Sequence, residues 1–334
     1  MSSLWHRRRQ DKSLAAIQRT EDSCSDATSL SAALISKSYQ LHEQIGEGSS
    51  GRVYRGLRIH DQMEVALKCL EAKDKELVEL RKQEYEVLHQ LEHPNIVQAL
   101  DFLTCSKLAV VVLSYNNGST LDVAVRRAEN GCFSEAQSQL LFLQLMQAVE
   151  YMHSKRVIHR DIKAENLFLS TDALTLQVGD FNAAKALLDG GSLTMTGTME
   201  YAAPEVLQGE SPSEQQDVWS CGLCLHIMLT GSLPRRLHSY QSLATFCEAV
   251  QAKPIDWGRT QWGSASEHCK DTITKCMAVK KAHRPLAPSI LRLTWLAGPP
   301  PPPDGRKPRS NTIGYCGEGE SLRLYARRAA GSLV

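Results

Sequence analysis

The sequence predicts an α+β fold in two lobes, a small β-rich N-terminal lobe followed by a larger, mainly α-helical one. Two features of the apolar pattern predict it. Short stretches between residues 39 and 115 alternate apolar and polar residues or form brief apolar runs, as strands do. From residue 134 onward, longer stretches have helical spacing. The 334 residues suffice for two such lobes, each with a hydrophobic core.

The first predicted elements are strands. Residues 39–59, YQLHEQIGEGSSGRVYRGLRI, alternate on both sides of a glycine cluster, which is typical of a hairpin. MEVALKCLEA (63–72) and LAVVVLSY (108–115) are two further strands. Between them, LVELRKQEYEVLHQL (77–91) has helical spacing and must end before Pro94, because proline cannot continue a helix.

The helical lobe begins with SEAQSQLLFLQLMQAVEYMHSK, residues 134–155, and includes the apolar run VWSCGLCLHIML. That run contains Cys221 and Cys224, the only close pair among ten cysteines. A redox or metal function for the pair would need a βαβ context or a second ligand pair, and the sequence has neither. We therefore interpret both cysteines as residues packed in a buried helix.

Both ends of the chain are predicted to lie outside the folded domain. Residues 1–38 are rich in Ser, Thr and Asp without apolar periodicity, which predicts a mobile arm. The basic cluster Arg7–Arg9 is either a nuclear localisation signal or a solvated group of charges. Residues 297–334 are expected to form a flexible Pro-rich tail, because the five prolines 299–303 favour an extended polyproline conformation.

Charge and hydropathy narrow the classes of partner. The formal net charge is +1, so we expect no nucleic-acid partner. No stretch reaches the ~18 apolar residues of a membrane span, and the first 30 residues lack the apolar core of a secretory signal. Together with scattered cysteines, these features predict a cytoplasmic protein with reduced thiols, with the nucleus as an alternative location.

A glycine pattern in the predicted hairpin suggests a phosphate site. Gly46, Gly48, Gly51 and Val53, with Glu47 among them, fit G-x-G-x-x-G-x-V. Dinucleotide-binding folds have a similar spacing, but there the loop opens a helix, whereas this one continues into a strand. Glycines lack a Cβ, so their N–H groups can approach phosphate oxygens closely.

A lysine and a glutamate in the same lobe form a candidate pair. Lys68 lies on the predicted strand VALK, and Glu84 lies sixteen residues later on the predicted helix. A lysine that binds phosphates needs a carboxylate to orient it, and two elements supply such a pair only if they pack together. Either residue alone would be interpreted as surface charge.

The segment HRDIKAEN, residues 159–166, carries the strongest chemical signal. Asp161 could accept the proton of an attacking hydroxyl group, and Lys163 could steady the transferring phosphoryl group. Asn166 offers a neutral oxygen to a metal, and Asp180, at the end of the predicted strand LTLQV, offers a carboxylate. Hard oxygen ligands beside a lysine suit Mg·ATP rather than zinc.

These motifs resemble, in order, those of the eukaryotic protein kinases over residues 39–296. The resemblance extends to GTMEYAAPE (197–205), to DVWSCG (217–222) and to Arg284 in AHRP. It implies a bilobal kinase fold with an N-lobe at about 39–113, a hinge at about 114–118 and a C-lobe at about 119–296. It also implies binding of ATP with Mg²⁺, for which Mn²⁺ could substitute.

The resemblance further assigns roles to individual residues. Lys163 and Thr198 are similar to the serine/threonine type, whose substrates are proteins. Glu165 suggests basic residues near the acceptor, although a solvated glutamate is an equal alternative. Leu113 would be the gatekeeper next to the adenine hinge. The implied nucleotide-binding residues are Gly46, Glu47, Gly48, Gly51, Val53, Ala66, Lys68, Ser114 and Asn116. The implied structural residues are Thr198, whose hydroxyl would reach Asp161 and Lys163, Asp217, which would brace the catalytic loop, and Arg284, which would pair with Glu205.

One residue departs from the family pattern. Asn182 stands where the D-F-G triplet has glycine. The metal-binding Asp180 and the packing residue Phe181 are retained, and Asn is among the residues that enter positive φ most readily. We therefore expect an active serine/threonine kinase. The alternative is a pseudokinase that displays a docking surface, and a small-molecule kinase is disfavoured by GTMEYAAPE.

Regulation and further partners follow from the same resemblance. A phosphate on Thr194 or Thr196 could pair with Arg160 and order the activation segment. Three features of the tail suggest partners: the prolines for a proline-groove domain, RKPRSNT for a basophilic kinase, and the terminal SLV for a domain that binds C-terminal carboxylates. A solvated tail is the alternative in each case.

Overall fold

The computed structural model describes residues 37–48, 51–71, 75–105, 108–181, 185–186 and 199–299. The chain divides into two compact units. The N-terminal unit contains the described residues up to His93 together with Val97–Tyr115, and the C-terminal unit contains Pro94–Ile96 and the described residues from Asn116 onward. Both predicted arms, except for residues 37–38 and 297–299, lie outside the described residues.

The N-terminal unit is built on a five-stranded antiparallel sheet. Its strand order is β1-β2-β3-β5-β4. The strands are β1 (Tyr39–Gly48), β2 (Gly51–Arg58), β3 (Glu64–Glu71), β4 (Ala99–Cys105) and β5 (Leu108–Ser114), and helix α1 spans Lys75–His89.

The two faces of this sheet carry separate apolar clusters, because side chains alternate along each strand. One face buries Tyr39, Val65, Leu67, Val110 and Val112. The other buries Leu70, Ala109 and Val111, against which Tyr85 of α1 and Phe102 of β4 pack. Helix α1 therefore covers the second face.

The sequence predicted most of these elements but missed β4. The stretch ALDFLTC alternates only in part, and β4 pairs with β5 alone at the edge of the sheet. Helix α1 ends at His89, two residues before the predicted end. Its last turn includes the His89 ring, which stacks on Tyr85 with ring centroids 5.1 Å apart.

The C-terminal unit is mainly helical. Its strands form a three-stranded sheet, β6-β8-β9, and the pair β7-β10. The helices are α2 (Leu121–Arg127), α3 (Glu135–Ser154), α4 (Pro204–Leu207), α5 (Glu214–Thr230), α6 (Leu243–Ala252), α7 (Glu267–Cys276), α8 (Ala287–Leu291) and α9 (Thr294–Ala297). The strands are β6 (Ser119–Thr120), β7 (Val157–Ile158), β8 (Leu167–Leu169), β9 (Leu176–Val178) and β10 (Lys185–Ala186).

Helix α5 is the central helix of this unit. Fifteen consecutive positions from Gln216 to Thr230 are buried. Cys221 and Cys224 lie in this helix with no exposed surface, which confirms that they are packed helix residues. Burial raises the pKa of both thiols well above the ordinary value. Among the described residues, no helix is long and apolar enough to cross a membrane.

Candidate active site

The glycine segment is a tight antiparallel hairpin of β1 and β2. Gly46 pairs with Val53, Glu47 with Arg52, and Gly48 with Gly51. The Glu47 carboxylate accepts hydrogen bonds from Gln44 at 3.0 Å and from Arg52 at 3.3 Å, which lower the pKa of Glu47. Glu47 therefore ties the two strands together, a contact that the sequence analysis did not foresee. Ser49 and Ser50 lie outside the described residues.

Three predicted nucleotide-site residues and the predicted gatekeeper share one face of the N-terminal sheet. Lys68 lies opposite Val53 on β2, and Ala66 lies opposite Leu113 on β5. Because these positions are in register and two residues apart along β3, their side chains project to the same side. This is the side that α1 covers. The side chain of Glu84 lies outside the described residues, so its pairing with Lys68 stays a prediction.

Both predicted hinge residues are held by polar contacts, each within its own unit. In the N-terminal unit, Ser114 donates its N–H to Gln98 O at 2.9 Å, and its hydroxyl accepts from Gln98 N at 3.0 Å. In the C-terminal unit, the Asn116 side chain donates to Gln177 at 3.1 Å and accepts from Gly118 N at 2.9 Å. The Ser114 hydroxyl and the Asn116 side chain thus help to fix the two segments.

Three side chains of the segment HRDIKAEN meet at Asp161. Lys163 Nζ lies 2.8 Å from Asp161 Oδ2. The side-chain amide of Asn166 donates to the same oxygen at 3.1 Å and to the Asp161 carbonyl at 2.8 Å. Asn166 is 4% exposed. The Asp161 carboxylate is therefore fixed by one cation and one amide, which orient it.

Asp217, at the start of α5, binds the segment that carries Asp161. Its carboxylate accepts from the main-chain N–H of His159 at 2.9 Å and of Arg160 at 3.0 Å. His153 Nε2 lies 2.9 Å from the same carboxylate. Burial opposes ionisation of Asp217, but the hydrogen bonds that its carboxylate accepts from His153 and from the Arg160 N–H lower its pKa.

His159 connects this segment to the strand end that precedes Asp180. Its Nε2 lies 3.1 Å from the Gly179 carbonyl, and its Nδ1 accepts from Asp161 N at 3.3 Å. Since a carbonyl only accepts, Nε2 carries the proton and the ring is neutral. Burial lowers the pKa of His159, in keeping with that state. The role of His159 was not predicted from the sequence, because its position between Asp161 and Gly179 depends on tertiary contacts.

Asp180 has an unusual backbone. Its φ is 59°, in the left-handed region that non-glycine residues enter at a cost of order 1 kcal/mol. The next residue, Phe181, is buried with its ring centroid 4.6 Å from that of His159. The sequence predicts the conformational demand at Asn182, which lies outside the described residues.

Glu205 and Arg284 form a buried, two-pronged ion pair. The two N···O distances are 2.6 and 3.0 Å, and the residues are 4% and 2% exposed. Arg284 also donates to the carbonyls of Ala278 and Gln215 and lies over the Trp219 ring, 4.9 Å from its centroid. Every polar edge of the guanidinium is thus satisfied, as a buried charge requires.

Several predicted regulatory and structural residues receive no structural description. Thr194, Thr196 and Thr198 lie outside the described residues. Arg160 is described, and it too has a positive φ, of 69°. Positive φ at Arg160 and at Asp180 therefore marks both segments that carry the predicted chemistry, as is common at functional sites.

The donor atoms of Asn166 and Asp180 fit a magnesium ion. The Asn166 amide nitrogen donates to Asp161, so the amide oxygen is left as an acceptor. Asp180 adds a carboxylate. Among the described residues, no group of three or more His, Cys, Asp or Glu could hold a metal. Magnesium does not need such a group, because it keeps waters and binds one or two protein oxygens together with phosphates.

Comparison with known proteins agrees with the motifs. The family model described as "Protein kinase domain" matches residues 39–296. The chain belongs to the protein kinase family. The kinase is of the serine/threonine type, as the residues around Lys163 predicted. Its bilobal α+β fold, predicted from the sequence, is confirmed. ATP and a divalent metal are the substrate and cofactor that the family implies.

Three curated relatives illustrate the range of similar kinases. Myosin light chain kinase A of Dictyostelium discoideum is 30% identical over 270 residues, which are 78% of this chain and 89% of that protein. The SNF1-like protein kinase ssp2 of Schizosaccharomyces pombe is 36% identical over 201 residues, 59% of this chain and 34% of that one. Sucrose non-fermenting protein kinase 1 of Fusarium virguliforme is 32% identical over 266 residues, 77% and 36% respectively. The matches span about a third of the length of the last two.

Proposed function

We propose that the kinase is catalytically active and transfers the γ-phosphoryl group of Mg·ATP to serine or threonine hydroxyl groups of proteins. One observation carries the proposal. The Asp161 carboxylate is held by Lys163 and Asn166 within a segment that Asp217 binds through two main-chain N–H groups. An aspartate oriented in this way suits the acceptance of a hydroxyl proton.

Each side chain has a separate task in this proposal. Asp161 accepts the hydrogen bond, and then the proton, of the attacking hydroxyl group. Lys163 offsets negative charge beside that oxygen. Asn166 and Asp180 would hold magnesium, which neutralises phosphate charge when it is bound. His159 keeps the Asp161 segment in contact with Gly179, next to Asp180.

The alternative is a pseudokinase that binds partners without turnover. The retention of Lys68, Glu84, Asp161, Asn166 and Asp180 favours the enzyme, since a scaffold has no need of all five. A positive φ at Asp180 costs about 1 kcal/mol. That is small beside the ~8–23 kcal/mol by which enzymes lower barriers, so the backbone strain at Asp180 is no argument against turnover.

The decisive test compares Asp161→Asn with the wild-type kinase. Phosphate incorporation into a generic basic protein is measured with Mg·ATP, and we expect a fall of at least ~100-fold from loss of the base. Asp271→Asn is the matched control, because Asp271 is an exposed carboxylate paired with Lys275. Equal incorporation by wild type and Asp161→Asn, at equal thermal stability, would rule out the enzymatic function.

Two finer proposals concern regulation and substrate preference. We propose that phosphorylation of Thr194 or Thr196, Thr196 first, raises activity through Arg160, and that Glu165 favours substrates with basic residues near the acceptor. An unchanged rate in Thr194→Ala/Thr196→Ala, or an unchanged peptide preference in Glu165→Gln, would contradict them.

We also propose a cytoplasmic location, with the nucleus as the alternative that Arg7–Arg9 would favour. Imaging of the tagged chain with and without that cluster tests the location. Binding of the tail, residues 297–334, to a proline-groove domain or to a domain that recognises C-terminal carboxylates is tested with tail peptides that end in SLV or SLV-amide.

A further inference from the structure

Gln177 on β9 makes a contact that the functions above do not use. Its side-chain oxygen accepts from the Asn116 amide at 3.1 Å. The oxygen of the Asn116 side-chain amide is also engaged, because Oδ1 accepts a hydrogen bond from Gly118 N at 2.9 Å. Both ends of the Asn116 amide are therefore engaged, one by β9 and one by its own turn. Gln177 and Asn116 are 61 residues apart in sequence.

The turn after Asn116 is also fixed by close packing. A Cβ at Gly118 would lie 1.8 Å from the Leu169 carbonyl oxygen, so only glycine fits at this distance. The following residue, Ser119, pairs with Leu169 in the β6–β8 ladder. The segment from Asn116 to Ser119 is thus held against β8 by its backbone and against β9 by Gln177.

Gln177 also contacts Pro94, the other residue at which the chain enters the C-terminal unit. Its amide nitrogen donates to Pro94 O at 3.4 Å. The chain enters the C-terminal unit at Pro94 and again at Asn116. One side chain three residues before Asp180 therefore contacts both entry points.

We propose that Gln177 is a positioning residue for adenine binding, an inference that rests on the proposed ATP-dependent function. Through the Asn116 side chain it fixes the main-chain N–H and C=O of Asn116. Adenine has a donor and an acceptor on one edge, and main-chain groups bind such an edge well only when their direction is set beforehand. Gln177 does not touch the nucleotide in this proposal; it limits the rotation of the residue that does.

The test replaces Gln177 with residues that keep its size. Gln177→Met removes both hydrogen bonds, and Gln177→Glu keeps an oxygen for the Asn116 amide but cannot donate to Pro94. Gln137→Met is the matched control, because the side-chain amide of Gln137 likewise donates to a carbonyl, that of Ala173, at 3.4 Å. Adenosine is the binding probe for calorimetry, since an uncharged ligand is insensitive to the charge of the Glu variant.

We expect Gln177→Met to raise the Kd for adenosine and the KM for ATP about 3- to 10-fold, the effect of one net hydrogen bond, with kcat unchanged. Gln177→Glu and Gln137→Met should stay within about two-fold of wild type. Inhibition by tripolyphosphate, which has no base, should not change in any variant. A residue with only a structural role would instead lower kcat and thermal stability together.

The outcomes separate this inference from the proposed function. If wild type binds adenosine and Gln177→Met binds it equally well, the positioning role is wrong while the kinase activity stands. If Gln177→Met does not fold, Gln177→Glu is the deciding variant. It keeps the contact with the Asn116 amide, so a loss of adenosine affinity in this variant would show that the contact does not set adenine binding. If the wild-type kinase binds neither ATP nor adenosine, both proposals fall.

Discussion

The carboxylate of Asp217 accepts a hydrogen bond from the main-chain N–H of His159 at 2.9 Å, although 58 residues separate them. The same carboxylate accepts from Arg160 N at 3.0 Å. A rigid, buried helix thereby fixes the turn that ends in Asp161. Because proton transfer depends on the position of the accepting carboxylate, the contact links the core of the C-terminal unit to the proposed chemistry.

The first prediction concerns Asp217→Asn. The amide keeps the size of the side chain but replaces one acceptor oxygen by a donor, so one of the N–H groups loses its partner. We expect kcat to fall about 10- to 100-fold, as small displacements of a reacting group commonly cause, with a smaller change in the KM for ATP. Steady-state kinetics at saturating protein substrate measure the split. A kcat within two-fold of wild type would show that the turn holds its position without Asp217.

The second prediction contrasts two glycines of the β1–β2 hairpin. Gly51 has a φ of 113°, and a Cβ there would lie 2.2 Å from the Cys69 carbonyl oxygen. A Cβ at Gly46 would make an ordinary contact, 3.7 Å from the Val53 Cβ. We expect Gly51→Ala to lower the free energy of unfolding by about 1–3 kcal/mol. Gly46→Ala should leave stability nearly unchanged and raise the KM for ATP, if phosphates approach that backbone.

Thermal unfolding and ATP kinetics on both variants check the contrast. The prediction is wrong if Gly51→Ala is as stable as wild type. It is also wrong if Gly46→Ala leaves the KM for ATP unchanged. The second result would mean that the methyl group at position 46 meets no phosphate.

The third prediction concerns the buried pair of Glu205 and Arg284. Glu205→Gln leaves the guanidinium buried without its counter-charge, which costs roughly 3–5 kcal/mol of unfolding free energy. The exposed pair of Asp271 and Lys275, with an N···O distance of 2.6 Å, is the control. Its Asp271→Asn variant should change stability by less than ~1 kcal/mol, because water screens exposed pairs. Urea unfolding of both variants provides the comparison, and equal losses would contradict the importance of burial.

The fourth prediction concerns the pH dependence of stability through His226. Burial lowers the pKa of His226 from 6.5 to about 4. Its Nδ1 donates to the Ser232 carbonyl at 2.8 Å, and its Nε2 has no hydrogen-bond partner among the described residues. A proton on Nε2 would therefore be buried without an acceptor.

The sign of the effect follows from these pKa values. Above pH 6.5 neither the folded nor the unfolded state protonates His226, and its contribution to stability is fully present. As pH falls from 6.5 towards 4, only the unfolded state takes the proton, so the free energy of unfolding falls. Between pH 7.5 and 5.0 we expect His226→Gln to lose about 2 kcal/mol less than wild type, measured by urea unfolding. If wild type and His226→Gln lose the same free energy of unfolding over this pH range, His226 is not the group responsible.

The sequence by itself determined the local elements and the order of the chemical groups. The hairpin around Gly51 and the helices α3 and α5 follow from apolar periods of two and 3.6 residues and from turn residues, which act over short distances. Asp161, Lys163, Asn166 and Asp180 could be named because their residue types and spacing suit phosphoryl transfer. Their roles remain predictions that the kinetic tests address.

Only the tertiary structure decided which distant groups meet. The family resemblance implied that Asp217 braces the catalytic loop, and the structure shows which two N–H groups it binds. No pattern in the chain shows that Gln177 holds Asn116 or that the positive φ lies at Asp180. Strand β4 was missed for the same reason, since its place depends on pairing with β5. Such contacts join residues tens of positions apart, and their partners are selected by packing of the whole unit rather than by local propensity.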